Sequence, residues 1–547
     1  MAEARWRLGH RGGFASPGAI PGRFAVWAAV TTLVLLATAA AVASARSTTA
    51  GRRVPPARSR TTAPTRQAVA PPRASATEPA TPGAPRTTTT KPAGPSLGVD
   101  STPWVGHGNL AMVADGQLLV LDSAGTLSTV TGPPSAGFDS TPAWSRDGRW
   151  LAFLHQLAPR ADGSAPPPTL WLVAAGSSTA TEVTDAGIGT YQWSPTAERL
   201  AYTTLDPPGV AASAGNLWTD VPGAPPVPVP GLHAGATVGS LSWSPTGTTF
   251  AIDELLSSPS AGSGVLRTDM LVLLPAGGGR GTVIYEHQGS GIDVAGWWPN
   301  AKGVLFWVDA GFSASLAADG LPLDSLALGS TTPVTLASTL VGSQWLAPAP
   351  ATTAGDDVAM VAGGGRYVWM KDRHVEVCSL ATGTCTALPA PTAEMTLAPA
   401  WTSSGALVVT DASASAPYGS AGGSFAPAAM AAWDATASVS LFRPSGTSEL
   451  AVAAPSWEST PDTAAGAGTV LAQPAAHGTA LLEVHDDSLW LQSSPTAPSV
   501  RIAGPLAQPA DPGGYYGELD WQTTFAWSEA AGPRGGRVAP SIGPQVP

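Results

Sequence analysis

The amino-acid sequence predicts an all-β fold, a β-propeller with seven or eight four-stranded blades, of which eight is favoured. A Trp-Ser turn recurs along the chain, and successive tryptophans lie 49, 50, 54, 48 and 56 residues apart. Short apolar segments that are typical of β-strands follow each turn, without an amphipathic helical stretch between them. Repeats of about 40 to 50 residues that contain four short strands are typical of propeller blades.

Each repeat follows one plan, which the segment WSPTGTTFAI from Trp243 illustrates. A short strand ends at the tryptophan, and the next residues reverse the chain, because proline presets φ and glycine permits positive φ. An apolar strand follows, then a third strand and often a fourth. The indole is large and flat enough to fill the space between neighbouring blades. The tryptophans predicted to have this structural role are Trp144, Trp193, Trp243, Trp297, Trp345, Trp401 and Trp521.

Incomplete blades stand at both ends of the repeat region. The segment ELDWQTTFAW, residues 518–527, contains only the first half of a blade. Residues 108–131 contain strands that no Trp-Ser turn precedes. We therefore expect strands from the two ends to share one blade, which closes the propeller and leaves no exposed sheet edge.

The composition changes sharply before the repeats begin. Residues 1–23 are predicted to form a short cytoplasmic tail. Residues 24–45 contain no charged side chain, and this apolar segment is long enough for a single membrane span. A cleaved signal peptide is the alternative, since AVA at 41–43 and ASA at 43–45 suit a signal peptidase. Residues 46–100 form a Pro/Thr/Arg-rich linker that is predicted to be disordered. The propeller is assigned to 101–530 and a flexible tail to 531–547.

The charge distribution limits the classes of partner. The net charge is −11, but residues 1–100 hold 13 basic and 3 acidic side chains, so the rest carries a net of −21. Nucleic-acid affinity comes largely from neutralising phosphates with basic side chains. We therefore predict no nucleic-acid partner. The exported location instead predicts single-pass membrane association, or secretion after cleavage of the signal peptide.

The two cysteines of the chain, Cys378 and Cys385, can lie opposite each other across a hairpin turn. In an oxidising compartment this spacing predicts a disulfide, and two free buried thiols are the alternative. A structural zinc site takes four ligands, and His374 is the one further ligand nearby in sequence. We therefore predict no metal ion.

The repeats resemble a known family. The segments WSRDGRWLAF from Trp144, WSPTAERLAY from Trp193 and WSPTGTTFAI from Trp243 resemble the TolB-type (WD40-like) propeller repeat. This resemblance implies an extracytoplasmic propeller, of the kind that serves as a docking domain in envelope machinery or as a gate ahead of a serine peptidase domain. The order of anchor, linker and propeller is also similar to exported actinobacterial proteins, some of which modulate sensor kinases.

No catalytic motif stands in the context that its chemistry requires. The one Gly-x-Ser-x-Gly match, GPSLG at residues 94–98, lies in the Pro/Thr/Arg-rich linker and not between a strand and a helix, so we expect no serine hydrolase domain. The group His485, Asp486 and Asp487 fits a polar turn better than an acid–base or metal site. Acidic residues in or near the strands that follow the turns could still meet in the fold. They are Asp253, Glu254, Asp293, Asp309 and Asp411.

Three functions remain open from the sequence. The favoured prediction is a non-catalytic binding or scaffold module, tethered to the envelope, for a protein, a peptide or a cell-envelope glycan. The second is an exported enzyme that acts on glycans, which requires two carboxylates about 5 to 10 Å apart on one face. The third is a regulatory ectodomain of a membrane partner. The sequence thus predicts that the protein is not an enzyme and holds no cofactor.

Overall fold

A computed structural model describes the chain from residue 97 onward, with internal gaps. The described ranges are 97–134, 137–160, 164–205, 216–259, 265–288, 291–309, 320–339, 341–342, 345–350, 356–363, 373–388, 394–396, 399–413, 438–444, 450–452, 469–485, 488–494, 497–506 and 523–529. All of them belong to one compact unit. The predicted N-terminal tail, the segment 24–45, linker residues 46–96 and the C-terminal tail lie outside them. In the described ranges, no helix is both long and apolar enough to cross a membrane.

The described secondary structure is almost wholly β. A short 3-10 helix lies at Thr102–Trp104. The first half of the chain contains β1 (Gly98–Val99), β2 (Asn109–Ala114), β3 (Gln117–Leu121), β4 (Leu127–Thr129), β5 (Gly137–Trp144), β6 (Trp150–Leu157), β7 (Thr169–Ala174), β8 (Thr181–Thr184), β9 (Ile188–Trp193), β10 (Leu200–Thr204), β11 (Leu217–Asp220), β12 (Val227–Pro228), β13 (Ala236–Trp243), β14 (Thr249–Pro259), β15 (Val265–Pro275) and β16 (Thr282–Gln288).

The strands continue in the same style to the C-terminal end of the described chain. They are β17 (Gly291–Trp297), β18 (Gly303–Asp309), β19 (Leu321–Ala327), β20 (Val334–Thr339), β21 (Leu346–Pro348), β22 (Asp357–Ala362), β23 (His374–Ser379), β24 (Cys385–Ala387), β25 (Glu394–Thr396), β26 (Ala400–Trp401), β27 (Leu407–Ser413), β28 (Ser438–Pro444), β29 (Leu450–Val452), β30 (Thr469–Pro474), β31 (Leu481–His485), β32 (Ser488–Gln492), β33 (Val500–Gly504) and β34 (Phe525–Ser528).

The sheets follow one another in chain order, with antiparallel pairing throughout. Four-stranded sheets are formed by β5–β8, β9–β12 and β13–β16. The strands β17–β24 form one sheet of eight, whose halves meet, among the described residues, at the pair Thr339 and Ala362. The strands β25–β29 form the next sheet, and β30–β33 form the last, to which β1 adds at the edge. The predicted all-β fold of multiple four-stranded antiparallel sheets is confirmed, and Gly98–Val99 of the predicted linker contribute a strand to it.

Strands from both ends of the chain share one sheet, in the order β34-β2-β3-β4. The pairing of β2 with β34 runs from Asn109 opposite Ser528 to Met112 opposite Phe525. This is the arrangement that the two incomplete blades predict. It covers the inner edge of β2, which would otherwise expose unpaired backbone groups.

The turn after each tryptophan is held by the serine that follows. In the second sheet, the Ser145 hydroxyl accepts a hydrogen bond from the Trp150 amide at 3.0 Å and donates one to Asp147 at 2.8 Å. Gly148 has a φ of +67°, and Gly247 of the corresponding turn has +68°. The sequence repeats Ser and Gly at this spacing because the turn needs a side-chain acceptor and a positive φ.

The recurrent tryptophans join each sheet to the preceding one. Each indole N–H donates to the backbone oxygen of the residue before the corresponding tryptophan in the previous sheet. The bonds run from Trp144 to Ala526, from Trp193 to Ala143, from Trp243 to Gln192 and from Trp297 to Ser242, at 2.9 to 3.1 Å. The rings are nearly buried, with 3 to 7% of their surface exposed. Indole therefore supplies both apolar contact and a fixed hydrogen bond between sheets.

Apolar clusters continue these contacts around the whole set of sheets. One cluster joins the first sheet to the second, through Leu118 and Leu151, and similar clusters join each later sheet to its successor. Another cluster joins the two halves of the eight-stranded sheet. A further cluster joins the last sheet back to the first, and it contains Leu110 of β2, Leu482 of β31 and Phe525 of β34. The core therefore lies between sheets rather than within a single layer.

One predicted structural tryptophan, Trp345, does not hold the motif position, and another lies outside the described residues. Pro348 pairs with Val358 as Trp243 pairs with Phe250, so the motif position falls on Pro348. Trp345 lies three residues earlier, and its ring packs 5.3 Å from the guanidinium carbon of Arg373. At the C-terminal end, Trp521 lies outside the described residues, and the motif position belongs to the tryptophan of β34, residue 527. Trp401 does hold the position, and its indole donates to the oxygen of residue 347 at 2.7 Å.

The inter-sheet hydrogen bond of Trp193 predicts a measurable stability effect. In Trp193→Phe the apolar contact largely remains, but the buried Ala143 oxygen loses its donor at 2.9 Å. We expect the free energy of unfolding to fall by about 1 to 3 kcal/mol, the cost of an unsatisfied buried acceptor plus a smaller ring. Denaturant titration measures this change. The control is Trp171→Phe, a ring that is nearly as buried but whose indole donates to the partly buried Thr169 of its own strand, and a loss as large there would contradict the inter-sheet role of the Trp193 hydrogen bond.

Candidate functional site

The strand β14 carries two adjacent acidic residues that point to opposite faces of its sheet. In the segment FAIDEL, residues 250–255, Asp253 and Glu254 follow three buried apolar residues. Side chains alternate between faces along a strand, so the two carboxylates lie in different inter-sheet spaces. Asp253 is 9% exposed, and Glu254 is fully buried.

The Asp253 carboxylate is held by an irregularity in the neighbouring strand. The pairing of β13 with β14 shifts between Val238 and Leu241, which leaves Gly239 and Ser240 opposite Asp253. The backbone N–H groups of Gly239 and Ser240 both donate to Asp253 Oδ1, at 2.7 Å each. Two charge-assisted bonds to one oxygen fix the carboxyl group against the strand.

The corresponding bulge in the preceding sheet shows what this backbone requires. There the amide of Thr190 donates to the hydroxyl oxygen of Thr203 at 3.2 Å. Thr203 pairs within β10 at the position that Asp253 holds in β14. The bulge therefore needs an oxygen acceptor, which a threonine supplies, and does not need a carboxylate. The acid at residue 253 calls for another explanation.

A second carboxylate shares this face of the sheet. Asp269 of β15 lies directly opposite Leu255, two residues along β14 from Asp253. Diagonal neighbours of this kind have Cα atoms about 7 to 8 Å apart and lie within reach of longer side chains. Asp269 is 2% exposed, and its Oδ2 atom points towards the next sheet, where a methyl group added to Gly291 would lie 3.7 Å away.

The third carboxylate comes from that next sheet. Asp293 lies in β17, two residues after Gly291, and its side chain is partly exposed. The amide of the next residue, Val294, donates to the Ser240 hydroxyl oxygen at 2.9 Å. Ser240 thus ties the strand of Asp293 to the bulge that holds Asp253. We call Asp253, Asp269 and Asp293 the acid cluster.

The electrostatics of the acid cluster follow from this placement. Burial, together with the negative charges of Asp293 and Asp269, raises the pKa of Asp253 to about 7, against the two amide hydrogen bonds. A carboxyl group with this pKa is partly protonated at neutral pH, so Asp253 can donate a proton to a bound molecule. The neighbouring carboxylates Asp269 and Asp293 carry negative charge and can act as a base or a nucleophile.

The opposite face of β14 contains a separate ion pair. Glu254 Oε2 lies 2.5 Å from His233 Nδ1, and the amide of His233 also donates to it at 3.3 Å. The His233 side chain is 46% exposed. Because β14 itself separates the two faces, this pair does not belong to the acid cluster.

The other residues singled out from the sequence lie elsewhere. Asp411 is buried in β27 of a different sheet, and Asp309 ends β18, with its side chain outside the described set. His485 is buried against Trp490, and the two aspartates that follow it lie outside the described residues. Cys378 and Cys385 form a disulfide between directly opposed residues of β23 and β24.

Of the acid cluster, sequence reasoning named Asp253 and Asp293 and missed Asp269. The sequence places Asp253 and Asp293 in or near predicted strands, but it does not show which strands lie next to each other in the fold. The signal for Asp269 is its position in the segment TDMLVLL, an isolated acid just before an apolar strand. Register between β14 and β15 is needed to place it beside Asp253.

Comparisons with known proteins concern the fold. Neither a protein-family profile nor a curated protein matches the chain. A solved puromycin-hydrolyzing peptidase of Mycobacterium tuberculosis is 17% identical, with a TM-score of 0.41 over 69% of this chain and 56% of that chain. TolB from Acinetobacter baumannii is 16% identical, with a TM-score of 0.26 over 56% of this chain and 61% of that chain. An oligogalacturonate lyase of Vibrio parahaemolyticus is 11% identical, with a TM-score of 0.34 over 72% of this chain and 84% of that chain.

These comparisons confirm the resemblance to TolB-like propellers at the level of the fold. The aligned part of this chain spans less than two thirds of the length of the peptidase and of TolB. They contradict the prediction that the protein is not an enzyme, because peptidases and a lyase are among the proteins that share the fold. That prediction rested on missing motifs and on analogy with binding propellers, and the fold does not support such an exclusion. Similarity at this level assigns no substrate and no residue role.

Proposed function

We propose that this protein is an extracytoplasmic propeller enzyme that cleaves glycosidic bonds of a cell-envelope glycan at the acid cluster. The observation that carries the proposal is the placement of Asp253, whose pKa is about 7, beside Asp293 and Asp269. Glycoside cleavage uses a protonated carboxyl group and a second carboxylate on either side of one bond. Carboxyl groups with separated pKa values can divide these roles.

Within this proposal each carboxyl group has a distinct task. Asp253 protonates the oxygen of the leaving sugar, because its proton is retained near neutral pH. Asp293 is the most exposed of the three and acts on the anomeric carbon, either directly or through a water molecule. Asp269 is nearly buried, and its negative charge supports the raised pKa of Asp253.

Charge narrows the substrate class. Residues 101–547 carry a net charge of −21, and the acid cluster adds a locally negative surface. A field of this sign repels polyanions, which disfavours teichoic acids and uronic-acid polymers. We therefore propose a neutral or amino-sugar glycan as the substrate.

For the anchor, the linker and the number of blades, we propose the arrangement that the sequence predicts. The segment 24–45 anchors the protein in the membrane, and the Pro/Thr-rich linker holds the propeller outside the cytoplasm. We propose eight blades, since the eight-stranded sheet is bridged, among the described residues, only at Thr339 and Ala362, and each half resembles a separate four-stranded sheet. A linker of this composition allows the enzyme to reach several layers of the envelope.

Cleavage by the full chain tests the proposal. The purified protein is incubated with neutral and amino-sugar envelope polysaccharides, and new reducing ends are measured with chromatography of the products. We expect Asp253→Asn to lower turnover by roughly 100-fold or more, because an amide cannot donate the proton. The amide oxygen of asparagine still accepts the bonds from Gly239 and Ser240, so the fold should be retained.

The matched control is Glu483→Gln, which neutralises a buried carboxyl group in β31, in another sheet. It should keep wild-type turnover. Binding of a polysaccharide without new reducing ends, or equal turnover by wild type and Asp253→Asn, would show that the acid cluster is not a glycosidase site.

A further inference from the structure

The edge of the sheet formed by β22, β23 and β24 gathers metal-binding side chains on one face. Alternate residues of β23 point to the same side, which places His374, Glu376 and Cys378 together. Cys385 of β24 lies directly opposite Cys378, so its side chain joins the same face. On the other side, Met360 of β22 lies directly opposite Glu376.

The distances between the donor atoms are short. One ligand atom from each of Glu376, Cys378 and Cys385 lies within 4.8 Å of the other two. The Met360 sulfur lies 3.5 Å from the Cys378 sulfur, and His374 Nε2 lies 2.9 Å from Glu376 Oε1. Cys378 and Met360 are fully buried, whereas Cys385, Glu376 and His374 are partly exposed. The group is thus anchored in the core and open on its outer side.

In the structure the two sulfur atoms are bonded to each other, so they are not available as thiolate ligands. We propose that reduction of the Cys378–Cys385 disulfide converts this edge into a Zn²⁺ site, with Glu376, Cys378 and Cys385 as ligands. Two electrons and two protons from a dithiol reductant break the S–S bond and give two thiols. Zn²⁺ then binds the two thiolates and releases both thiol protons to solvent.

The donor set favours zinc over harder cations. Thiolate ligands select soft or borderline ions, whereas Ca²⁺ and Mg²⁺ require oxygen ligands. Zn–S and Zn–O bonds of about 2.3 and 2.1 Å place ligand atoms about 3.5 to 4 Å apart. Once reduction breaks the bond between them, the two sulfur atoms can separate to this distance, and a Glu376 ligand atom already lies within 4.8 Å of both. Three protein ligands leave the fourth position open towards solvent.

His374 acts as a positioning residue in this site. Its Nε2 atom contacts the Glu376 carboxylate, which orients the second oxygen towards the cysteines. Hydrogen bonds of this kind to ligating carboxylates commonly change metal affinity by roughly 10- to 100-fold. The hairpin therefore has two exclusive states, a disulfide under oxidising conditions and a zinc dithiolate under reducing ones. This inference does not rest on the proposed glycosidase function, because it uses none of the three residues of the acid cluster.

Metal titration of the reduced and oxidised full chain tests the proposal. The protein is reduced with a phosphine, desalted without oxygen, and titrated with Co²⁺ as a spectroscopic probe and then with Zn²⁺ against a chromophoric chelator. We expect the reduced protein to bind one equivalent with cobalt–thiolate absorption, and the oxidised protein to show none. Binding of Zn²⁺ should also protect both cysteines from alkylation, measured by mass spectrometry.

Three variants complete the test. Glu376→Gln and His374→Ala should each weaken Zn²⁺ binding by roughly 10-fold or more in the reduced protein. The control Glu286→Gln, at an exposed residue of β16, should leave the affinity unchanged. Equal affinity of the reduced and oxidised forms, no cobalt–thiolate band, or alkylation at the same rate with and without Zn²⁺ would each overturn the site. The alkylation assay decides the outcome even if a variant fails to fold.

Discussion

Asp253→Asn is expected to stabilise the protein, and the gain should be about 3 kcal/mol larger at pH 8 than at pH 5. Burial, helped by the charges of Asp293 and Asp269, raises the pKa of Asp253 in the folded state to about 7, from 3.8. The folded protein therefore holds a proton that the unfolded chain releases near pH 4. Above about pH 4 this difference in proton binding lowers the free energy of unfolding of the wild type. Asparagine is neutral in both states, so the variant does not lose this stability.

The sign follows from proton linkage. Below the unfolded pKa both states are protonated, and the carboxyl group contributes its full stability. As pH rises from about 4 to about 7, only the unfolded chain loses the proton, so the wild type loses stability over this window. Above about 7 both states are ionised and the difference becomes constant. Hydrogen-bond changes at Gly239 and Ser240 add a term without this pH dependence.

Urea titrations at pH 5 and pH 8 measure the difference. The control is Asp115→Asn, an exposed turn carboxylate, for which we expect no comparable pH-dependent gain. If the gain of Asp253→Asn is equal at both pH values, Asp253 is already ionised in the folded protein at pH 5. It could then not serve as the proton donor, and the proposed mechanism would have no general acid.

Stability and function oppose each other at this residue. The bulge in β13 accepts a hydroxyl oxygen in the preceding sheet, at Thr203, so the backbone does not require an acid at residue 253. Retaining a buried carboxyl group next to two others costs stability at neutral pH. An active site can retain a group that costs stability because activity depends on it, and this is the role that we propose for Asp253.

The fold was predictable because its sequence signals are short-range and recur in each repeat. The Trp-Ser turn recurs at nearly regular intervals, and its indole lies between neighbouring sheets, so the spacing of segments such as WSPTG indicates the order of the sheets. Pairing of the two chain ends also followed, since half a blade at either end leaves unpaired strands. Strand register depends on pairing between distant residues, and for that reason Trp345 was predicted as a motif residue where Pro348 stands.

The acid cluster lay beyond the reach of the sequence for the same reason. Asp253 and Asp293 are 40 residues apart and belong to different sheets, and Asp269 meets Asp253 only through the register of β14 with β15. A one-residue slip would move Asp269 to the other face. The donor group at Cys378 and Cys385 was partly visible, but Glu376 counts as a ligand only once its distance to both sulfur atoms is known.

Glu483→Gln is expected to give a second pH-dependent gain, about 2 to 3 kcal/mol larger at pH 8 than at pH 5. Glu483 is 1% exposed in β31, and burial raises its pKa to about 7, against a hydrogen bond donated by Ser499 at 2.9 Å. As for Asp253, stability is lost as pH rises from the unfolded pKa, here 4.5, to about 7. Glutamine keeps an oxygen for the Ser499 hydroxyl and carries no charge.

Combining the two variants separates local burial from overall charge. Asp253 and Glu483 lie in different sheets, so their gains should add, to about 5 kcal/mol between pH 5 and pH 8. If the gains came only from reducing the net charge of −11, Asp115→Asn would give as much as either variant. Urea denaturation of the double variant and of Asp115→Asn at both pH values distinguishes local burial from overall charge as the cause of the gains. Since Glu483 has no part in the acid cluster, a double variant that is more stable but inactive, beside an active Glu483→Gln, would tie the loss of turnover to Asp253 alone.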